Sequence, residues 1–111
     1  MEINMTTIRN ISMVRGDTFA FSFEVVGVDH LESAFFSCKI NDDDAGYLFQ
    51  KSLGDGITDA GNGKYRVRVA PDETKNLEVG SYYYDVEIGM NGDIFTPMRG
   101  RLKIERDITR H

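Results

Sequence analysis

Short runs in which apolar and polar side chains alternate recur along the whole chain. The clearest runs cover residues 18–26, 64–70 and 82–88. In the first run, the side chains that share one face are Phe19, Phe21, Phe23 and Val25. A period of two is typical of a β-strand with one buried face, and no segment carries the 3.6-residue period of a long amphipathic helix. The pattern therefore predicts an all-β protein.

The other predicted strands are shorter or interrupted. They cover residues 3–14, 33–40, 47–52 and 94–105. The side chains expected to face inward on the second of these are Ala34, Phe36, Cys38 and Ile40. Residues 53–63 contain four glycines and predict a long loop, with room for a short strand at residues 57–58. In the last strand, Pro97 and Gly100 predict a bulge or an edge.

The stretch before residue 82 predicts how two of the strands are connected. Pro71 suits the first position of a helical turn, Leu77 is placed to tuck under that turn, and Gly80 can take the conformation that ends it. A tyrosine just after such a corner, here Tyr82, locks an immunoglobulin-like sandwich by bonding its hydroxyl to backbone upstream. An ordinary core tyrosine is the alternative. The sequence thus predicts an immunoglobulin-like antiparallel β-sandwich of seven to nine strands.

Length and composition fit one domain and exclude several classes of protein. The chain has 111 residues, of which 41% are apolar, so we predict a single domain over residues 1–111, with a core at about 6–106 and a polar tail at 107–111. No apolar run is long enough for a transmembrane helix, and the N-terminus does not resemble a secretory signal. A net charge of −5 with scattered positive residues predicts binding to neither nucleic acid nor an anionic membrane.

No group of residues has the pattern of a catalytic centre. The two histidines, His30 and His111, lack a Cys or carboxylate partner at a ligand spacing. The single cysteine, Cys38, alternates inward on a strand and is expected in the core. We therefore predict no enzyme activity, no cofactor and no metal. The turn at Asp42–Asp44 is expected to be solvated because the ligand order of a Ca²⁺ loop is missing, although cation binding there stays open.

The N-terminal strand is predicted to be an edge strand that contacts another subunit. Its apolar residues Ile8, Ile11 and Met13 leave the edge poorly protected against pairing with another chain. Tyr83 faces outward, between Asp85 and a basic residue of a neighbouring strand, and is the fourth interface candidate. The alternatives are that the edge pairs within its own sandwich and that Tyr83 packs across strands.

The tripeptide Arg15-Gly16-Asp17 matches a cell-adhesion motif. Three-residue matches arise often by chance, and glycine between two polar residues also suits a turn that leads into a strand. We therefore interpret this segment as a turn.

Four segments together resemble a known family. They are Arg15-Gly16-Asp17-Thr18 leading into Phe19-x-Phe21-x-Phe23, Phe49 to Ile57, Tyr65 to Tyr82, and Gly100 to Thr109. Together they resemble the small immunoglobulin-like structural domains of tailed bacteriophages and prophages, and they are similar to the N-terminal domain of phage baseplate upper proteins. The resemblance implies a virion protein that is made in the bacterial cytoplasm without a signal peptide and that binds other virion proteins. Its position in the particle and any homo-oligomer stay open.

Two other classes of function remain. A carbohydrate-binding or adhesion module of the same fold would need a cluster of exposed aromatic side chains, for which Tyr83, Tyr47 and Phe35 are the candidates. An enzyme accessory domain is the other alternative. A glycan array tests the first, and the neighbouring reading frames separate all three classes.

Overall fold

The alternating segments of the sequence form the strands of one curled sheet. A computed structural model of the chain describes residues 6–27 and 30–109. The elements of the described chain are β1 (Thr7–Ile8), β2 (Ile11–Val14), β3 (Phe19–Glu24), β4 (Ser33–Lys39), β5 (Phe49–Leu53), β6 (Gly56–Gly61), β7 (Lys64–Val69), α1 (Pro71–Thr74), β8 (Gly80–Met90) and β9 (Asp93–Glu105). Neighbouring strands follow the order β1-β9-β8-β4-β5-β6-β7-β3, and β2 also pairs with β9.

The sheet folds over on itself into two packed layers. Phe21 on β3 and Phe36 on β4 lie four strands apart in the sheet order, yet their ring centroids are 5.2 Å apart. One layer contains β1, β2, β9, β8, β4 and β5, and the other contains β6, β7 and β3. This arrangement confirms the predicted all-β fold, because the sheet curls until side chains from its two ends pack face to face, as in a sandwich.

Aromatic contacts at the centre link the two layers. Phe36 is completely buried, and its ring lies 5.2 Å from Phe21, 5.9 Å from Phe49 and 5.6 Å from Tyr84. Antibody-type domains join their sheets with a disulfide whose second cysteine comes two residues after the corner tyrosine. Tyr84 occupies that place here, so ring packing between the layers takes the position of the covalent link.

Most side chains predicted to face inward do so. The completely buried ones include Phe36, Cys38, Tyr65, Val67, Val69, Val86, Ile88, Leu102 and Ile104. The prediction for Ile40 was wrong. Its side chain is 56% exposed, because β4 ends at Lys39 and the alternation ends with it.

The N-terminal segment differs from the single antiparallel strand that was predicted. Residues 3–5 lie outside the described part of the chain, and the rest forms two strands, both parallel to β9. The break falls at Arg9 and Asn10. There the side-chain amide oxygen of Asn10 accepts a hydrogen bond from the backbone N–H of Arg101 at 3.0 Å. This side chain takes the place of a backbone carbonyl in the ladder, so the strand pairing is interrupted.

The glycine-rich segment that was predicted as a loop is largely a strand. β6 pairs antiparallel with β7, and Ile57 on β6 is buried. Glycine and aspartate disfavour strands in isolation, but pairing with a regular neighbour and burial of one anchor side chain override that preference. Asn62 and Gly63, both with positive φ, close a hairpin between the two strands. Their Asn-Gly sequence is a hairpin signal that predicts this pairing.

The last strand has the irregularity that its proline predicted. Val86 pairs with Met98 and Ile88 with Phe95, so two residues of β9, Thr96 and Pro97, face one residue of β8. Such an extra residue is a β-bulge. A bulge accommodates Pro97, which has no N–H to give to the ladder.

The corner before β8 is built by the residues that the sequence singled out. Pro71 starts α1, Leu77 packs against the core, and the Tyr82 hydroxyl donates to the carbonyl of Glu78 at 2.6 Å. This is the upstream backbone bond expected of a corner tyrosine. The role of Gly80 differs from the prediction. The helical turn already ends at Lys75 in a right-handed conformation, and Gly80 is instead the first residue of β8.

Replacing Tyr82 with Phe removes that bond and keeps the ring. We expect the free energy of unfolding to fall by about 1 kcal/mol, the usual net value of one hydrogen bond. Chemical denaturation measures the loss. Tyr83→Phe on the outer face is the matched control and should change stability by less than about 0.5 kcal/mol. Equal stability of Tyr82→Phe and the wild type would mean that Tyr82 contributes by packing alone.

The Arg15-Gly16-Asp17 segment is a turn whose arginine is held by the rest of the domain. The Arg15 guanidinium donates to the Asp107 carboxylate at 2.9 Å and to the carbonyl of Leu77 at 3.2 Å. The N–H of Gly16 donates to the buried Thr74 hydroxyl at 2.9 Å. These bonds join the turn to the corner, so the arginine does not project as an adhesion motif would need. Asp107, predicted to begin the tail, is therefore attached to the domain.

Candidate protein-binding face

The outward side chains of β4, β8 and β9 form two rows across the larger layer. Lys39, Tyr83 and Arg101 are paired in register, and Ser37, Asp85 and Arg99 form the adjacent row. Side chains two residues apart on a strand share a face, so both rows point away from the core. The result is a face that carries an aromatic ring and three cationic groups on a domain whose net charge is −5.

Tyr83 lies against a basic neighbour. The Arg101 guanidinium carbon is 4.6 Å from the centroid of the Tyr83 ring, and Nη1 of Arg101 is 3.4 Å from the Tyr83 hydroxyl. This geometry is a cation–π contact. It holds the guanidinium over the sheet, beside the outward position of Arg99. The sequence analysis predicted a basic residue beside Tyr83, and the structure identifies that residue as Arg101.

A groove runs across these rows beside the N-terminal segment. Its volume is about 340 Å³, and the lining residues include Ile8, Asn10, Tyr83, Asp85, Arg99 and Arg101. The floor of the groove contains Gly100, against which the backbone of Arg9 lies. A Cβ built on Gly100 would overlap the carbonyl oxygen of Arg9, which also accepts a hydrogen bond from the Tyr84 hydroxyl. Because glycine has no side chain, the N-terminal segment can lie close to Gly100 and form one wall of the groove.

Gly100→Ala is expected to push this wall away from β9. The added methyl meets backbone rather than a movable side chain, so we expect a loss of about 1–3 kcal/mol in the free energy of unfolding. Chemical denaturation measures it, and amide hydrogen exchange should show lower protection at β1. Gly46→Ala is the matched control, since a Cβ there meets nothing within 4 Å. A loss no larger than that of Gly46→Ala would contradict the close packing at Gly100.

Burial and charge set the electrostatics of the groove. Burial raises the pKa of the half-buried Asp85 carboxyl, while the nearby Lys39 and Arg99 act in the opposite direction. Within the described residues, the Arg99 guanidinium has no hydrogen bond or ion pair, and that of Arg101 contacts Tyr83 only. Lys39 donates to the carbonyl of Asp44 at 2.8 Å. Among the described residues, neither guanidinium group therefore forms an ion pair with a carboxylate, although Arg99 interacts electrostatically with Asp85.

The four predicted interface residues divide into two pairs. Ile8, which is 63% exposed, and Tyr83 both line the groove. Ile11 and Met13 are only 8% and 4% exposed, because β2 pairs with β9 and turns these two side chains into the core. Their assignment to a contact surface is therefore corrected.

The groove contains functional candidates that the sequence reasoning missed. Arg99, Arg101 and Asn10 were not among the predicted interface residues. Extending the register of the Asn91-Gly92 hairpin along β8 and β9 without a break would pair Arg99 with Tyr84 and Arg101 with Tyr82, whose side chains lie on the inward face of β8. The bulge at Pro97 shifts that register by one residue, so the pairing of Tyr83 with Arg101 needed the structure.

Other candidate chemistry is dispersed or buried. Burial raises the pKa of the Cys38 thiol to about 12, so it is protonated at neutral pH. The exposed His30 contacts Asp59 at 3.2 Å, and His111 lies outside the described residues. Asp44 accepts a hydrogen bond from the N–H of Asn41 at 3.0 Å, which organises the acidic turn. Among the residues that the structure describes, no three His, Cys, Asp or Glu side chains are grouped as metal ligands.

The described helical structure is too short and too polar to cross a membrane.

The aromatic candidates for a carbohydrate site are spread over the surface of the domain. Tyr47 is exposed before β5, next to Ile40 and Leu48. Phe35 pairs in register with Glu87 and Ser52, away from the row that contains Tyr83.

Comparison with known proteins identifies the fold class. No family model and no curated protein matches the chain. Solved structures do match. The extracellular domain of the voltage-gated sodium channel β4 subunit, described as a parallel homodimer in cell–cell adhesion, has a TM-score of 0.52 at 12% identity, covering 97% of this chain and 99% of that one. The natural killer cell receptor Nkp44 has a TM-score of 0.51 at 12% identity, covering 92% of this chain and 100% of that one.

Both matches cover nearly the whole of each chain, so they concern the complete sandwich. The protein therefore has an immunoglobulin-like fold, as its corner and strand pattern predicted. At this level of identity, the likeness shows the fold alone.

Proposed function

We propose that this domain is a non-enzymatic structural protein of a phage or prophage virion and that it works by binding other virion proteins. The observation that best supports association is the outward face of β4, β8 and β9, where Ile8 and Tyr83 border a groove that the guanidinium groups of Arg99 and Arg101 also line. Aromatic and arginine side chains often contribute most of the binding free energy at protein interfaces.

An apolar patch continues this surface at the end of the β4–β5 hairpin. Ile40 is 56% exposed, and Tyr47 and Leu48 are exposed beside it. Lys39, at the end of the first outward row, immediately precedes Ile40 in the chain. Neighbouring apolar and cationic surfaces of this kind favour a partner that covers both.

The virion role is supported by the sequence resemblance, and the immunoglobulin-like fold is the one that this resemblance implies. The segments that resemble phage and prophage domains include the β2–β3 turn, β7 with its corner, and the end of β9, and these segments pack together here. Such a domain would be made in the bacterial cytoplasm and assembled with its partners there. This proposal accounts for a sandwich without an inter-sheet disulfide, which suits a reducing compartment.

The proposed role can be tested with the proteins encoded beside this one. We expect the flanking reading frames to encode tail or lysis proteins. The chain, coexpressed with each product, should copurify with at least one of them in a complex of fixed mass by light scattering. It should also be present in purified particles by mass spectrometry. Particles that assemble fully and contain none of this chain would refute the virion role.

A screen of hydrolase substrates tests the non-enzymatic part of the proposal. We expect no turnover above the blank, because neither Cys38 nor His30 lies in a convergent group of catalytic side chains. Each positive signal should be repeated with His30→Ala and Asp59→Ala. Turnover that either substitution abolishes would overturn the proposal.

A further inference from the structure

We propose that the groove binds an extended acidic segment of the partner protein, with a carboxylate side chain held between Arg99 and Arg101. This inference rests on the proposed function, since it names the chemistry of the partner at the same face. It commits to acidic side chains of a protein, rather than to an acidic sugar or a second copy of this domain.

The two arginines are placed to bind a carboxylate together. They lie two residues apart on β9 and point outward, which puts their Cα atoms about 6–7 Å apart along the strand. Tyr83 holds the Arg101 guanidinium over the sheet, so less side-chain freedom is lost when a ligand binds. A planar guanidinium donates two parallel hydrogen bonds to a carboxylate, which a lysine cannot do.

The domain neutralises these groups only in part, because two carboxylates, Asp42 and Asp85, line the groove beside its three cationic side chains in the described chain. Asp85 is opposite Arg99 in register, but no ion pair within 4 Å joins them in the described chain. Burial works against the charged form of Asp85. The Lys39 ammonium already donates to the carbonyl of Asp44. An acid supplied from outside would therefore satisfy donors that the fold leaves open.

The remaining walls fit an extended segment. Ile8 and the Tyr83 ring give the groove apolar surface beside the guanidinium groups. In an extended chain, alternate side chains point in opposite directions. Ile8 is in register with Arg99 on the same face, so every second side chain of an extended acidic segment can place its carboxylate on the arginines and its aliphatic carbons against Ile8. Because the whole domain carries a charge of −5, such attraction is local to this face rather than a general property of the surface.

Fluorescence anisotropy with a designed probe tests the inference. The probe is a labelled peptide of alternating Glu and Thr with both ends capped, so that it has no terminal carboxylate. The same peptide with Gln for Glu is its control. At physiological ionic strength, which screens diffuse attraction, we expect the Glu peptide to bind the wild type and the Gln peptide to bind at least about tenfold more weakly.

Paired variants locate the site. Arg99→Gln with Arg101→Gln should weaken binding of the Glu peptide by about tenfold or more. Arg66→Gln with Arg68→Gln removes the same charge at the same spacing from exposed outward positions of β7, and should change binding by less than about twofold. Asp85→Asn should strengthen binding by about 2–5-fold, because it removes a negative charge from the groove. If the two double variants lose affinity for the Glu peptide equally, the inference is overturned.

The other occupants give different results. If an oligosaccharide containing glucuronic acid binds and the Glu peptide does not, the groove is a sugar site and the inference fails. If light scattering shows a dimer that only Arg99→Gln with Arg101→Gln dissociates, the occupant is a second copy and the inference also fails. If the groove variants copurify with a virion partner as well as the wild type does, the proposed function stands and this choice of surface is wrong.

Discussion

Phe36→Ala is expected to lower the free energy of unfolding by about 3–5 kcal/mol. Phe36 is completely buried and its ring touches rings from both layers, those of Phe21, Phe49 and Tyr84. Truncation removes these contacts and leaves a cavity between the layers, beside the position that the inter-sheet disulfide takes in antibody domains. A loss of this size is a large part of the 5–15 kcal/mol that stabilises a typical domain. Urea denaturation followed by circular dichroism measures it.

The neighbouring residue gives the matched control. Phe35 is on the same strand but faces outward, opposite Glu87 and Ser52. Phe35→Ala removes an identical ring and should cost less than about 1.5 kcal/mol. Similar losses for the two variants would show that the aromatic contacts of Phe36 do not join the layers as described.

The core and the corner could be predicted because they depend on local chemistry. Burial on one face imposes a period of two, so Tyr65, Val67 and Val69 could be assigned to the core from their spacing alone. The corner follows from Pro71 and Tyr82, whose conformational and hydrogen-bonding preferences act within a few residues. Such features can be predicted without knowing which residues pack against them.

The groove could not be predicted in the same way because it depends on contacts between distant parts of the chain. Its wall exists because the backbone of Arg9 lies against Gly100, and the sequence indicated only that Gly100 interrupts a strand. Its cationic side chains come into register with Tyr83 only after the bulge at Pro97. β6 shows the same limit, since Gly56–Gly61 becomes a strand through its pairing with β7.

The N-terminal strand was correctly predicted to lie at an edge, but two of its side chains were assigned to the wrong surface. The N-terminal strand does lie at an edge, since in the described chain β2 pairs only with β9. We predicted that its apolar residues would leave this edge open to pairing with another chain, but pairing with Leu102 and Ile104 turns Ile11 and Met13 into the core. An edge exposes backbone groups on one side while its side chains still alternate between core and solvent.

Ile11→Lys is therefore expected to destabilise the domain rather than to reveal an interface. The Ile11 side chain is buried, and an ammonium placed there must either lose its hydration or pull β2 away from β9. We expect a loss of about 2–4 kcal/mol, from the lost aliphatic packing together with this displacement. Thermal and chemical denaturation measure it, and amide exchange should show that β2 opens first.

Ile8→Lys is the control that separates the two explanations. Ile8 lies on the preceding strand and is 63% exposed, so the same substitution there should change stability by no more than about 0.5 kcal/mol. An Ile11→Lys variant as stable as Ile8→Lys would mean that β2 leaves Ile11 accessible, and the original assignment of Ile11 to a contact surface would then be restored.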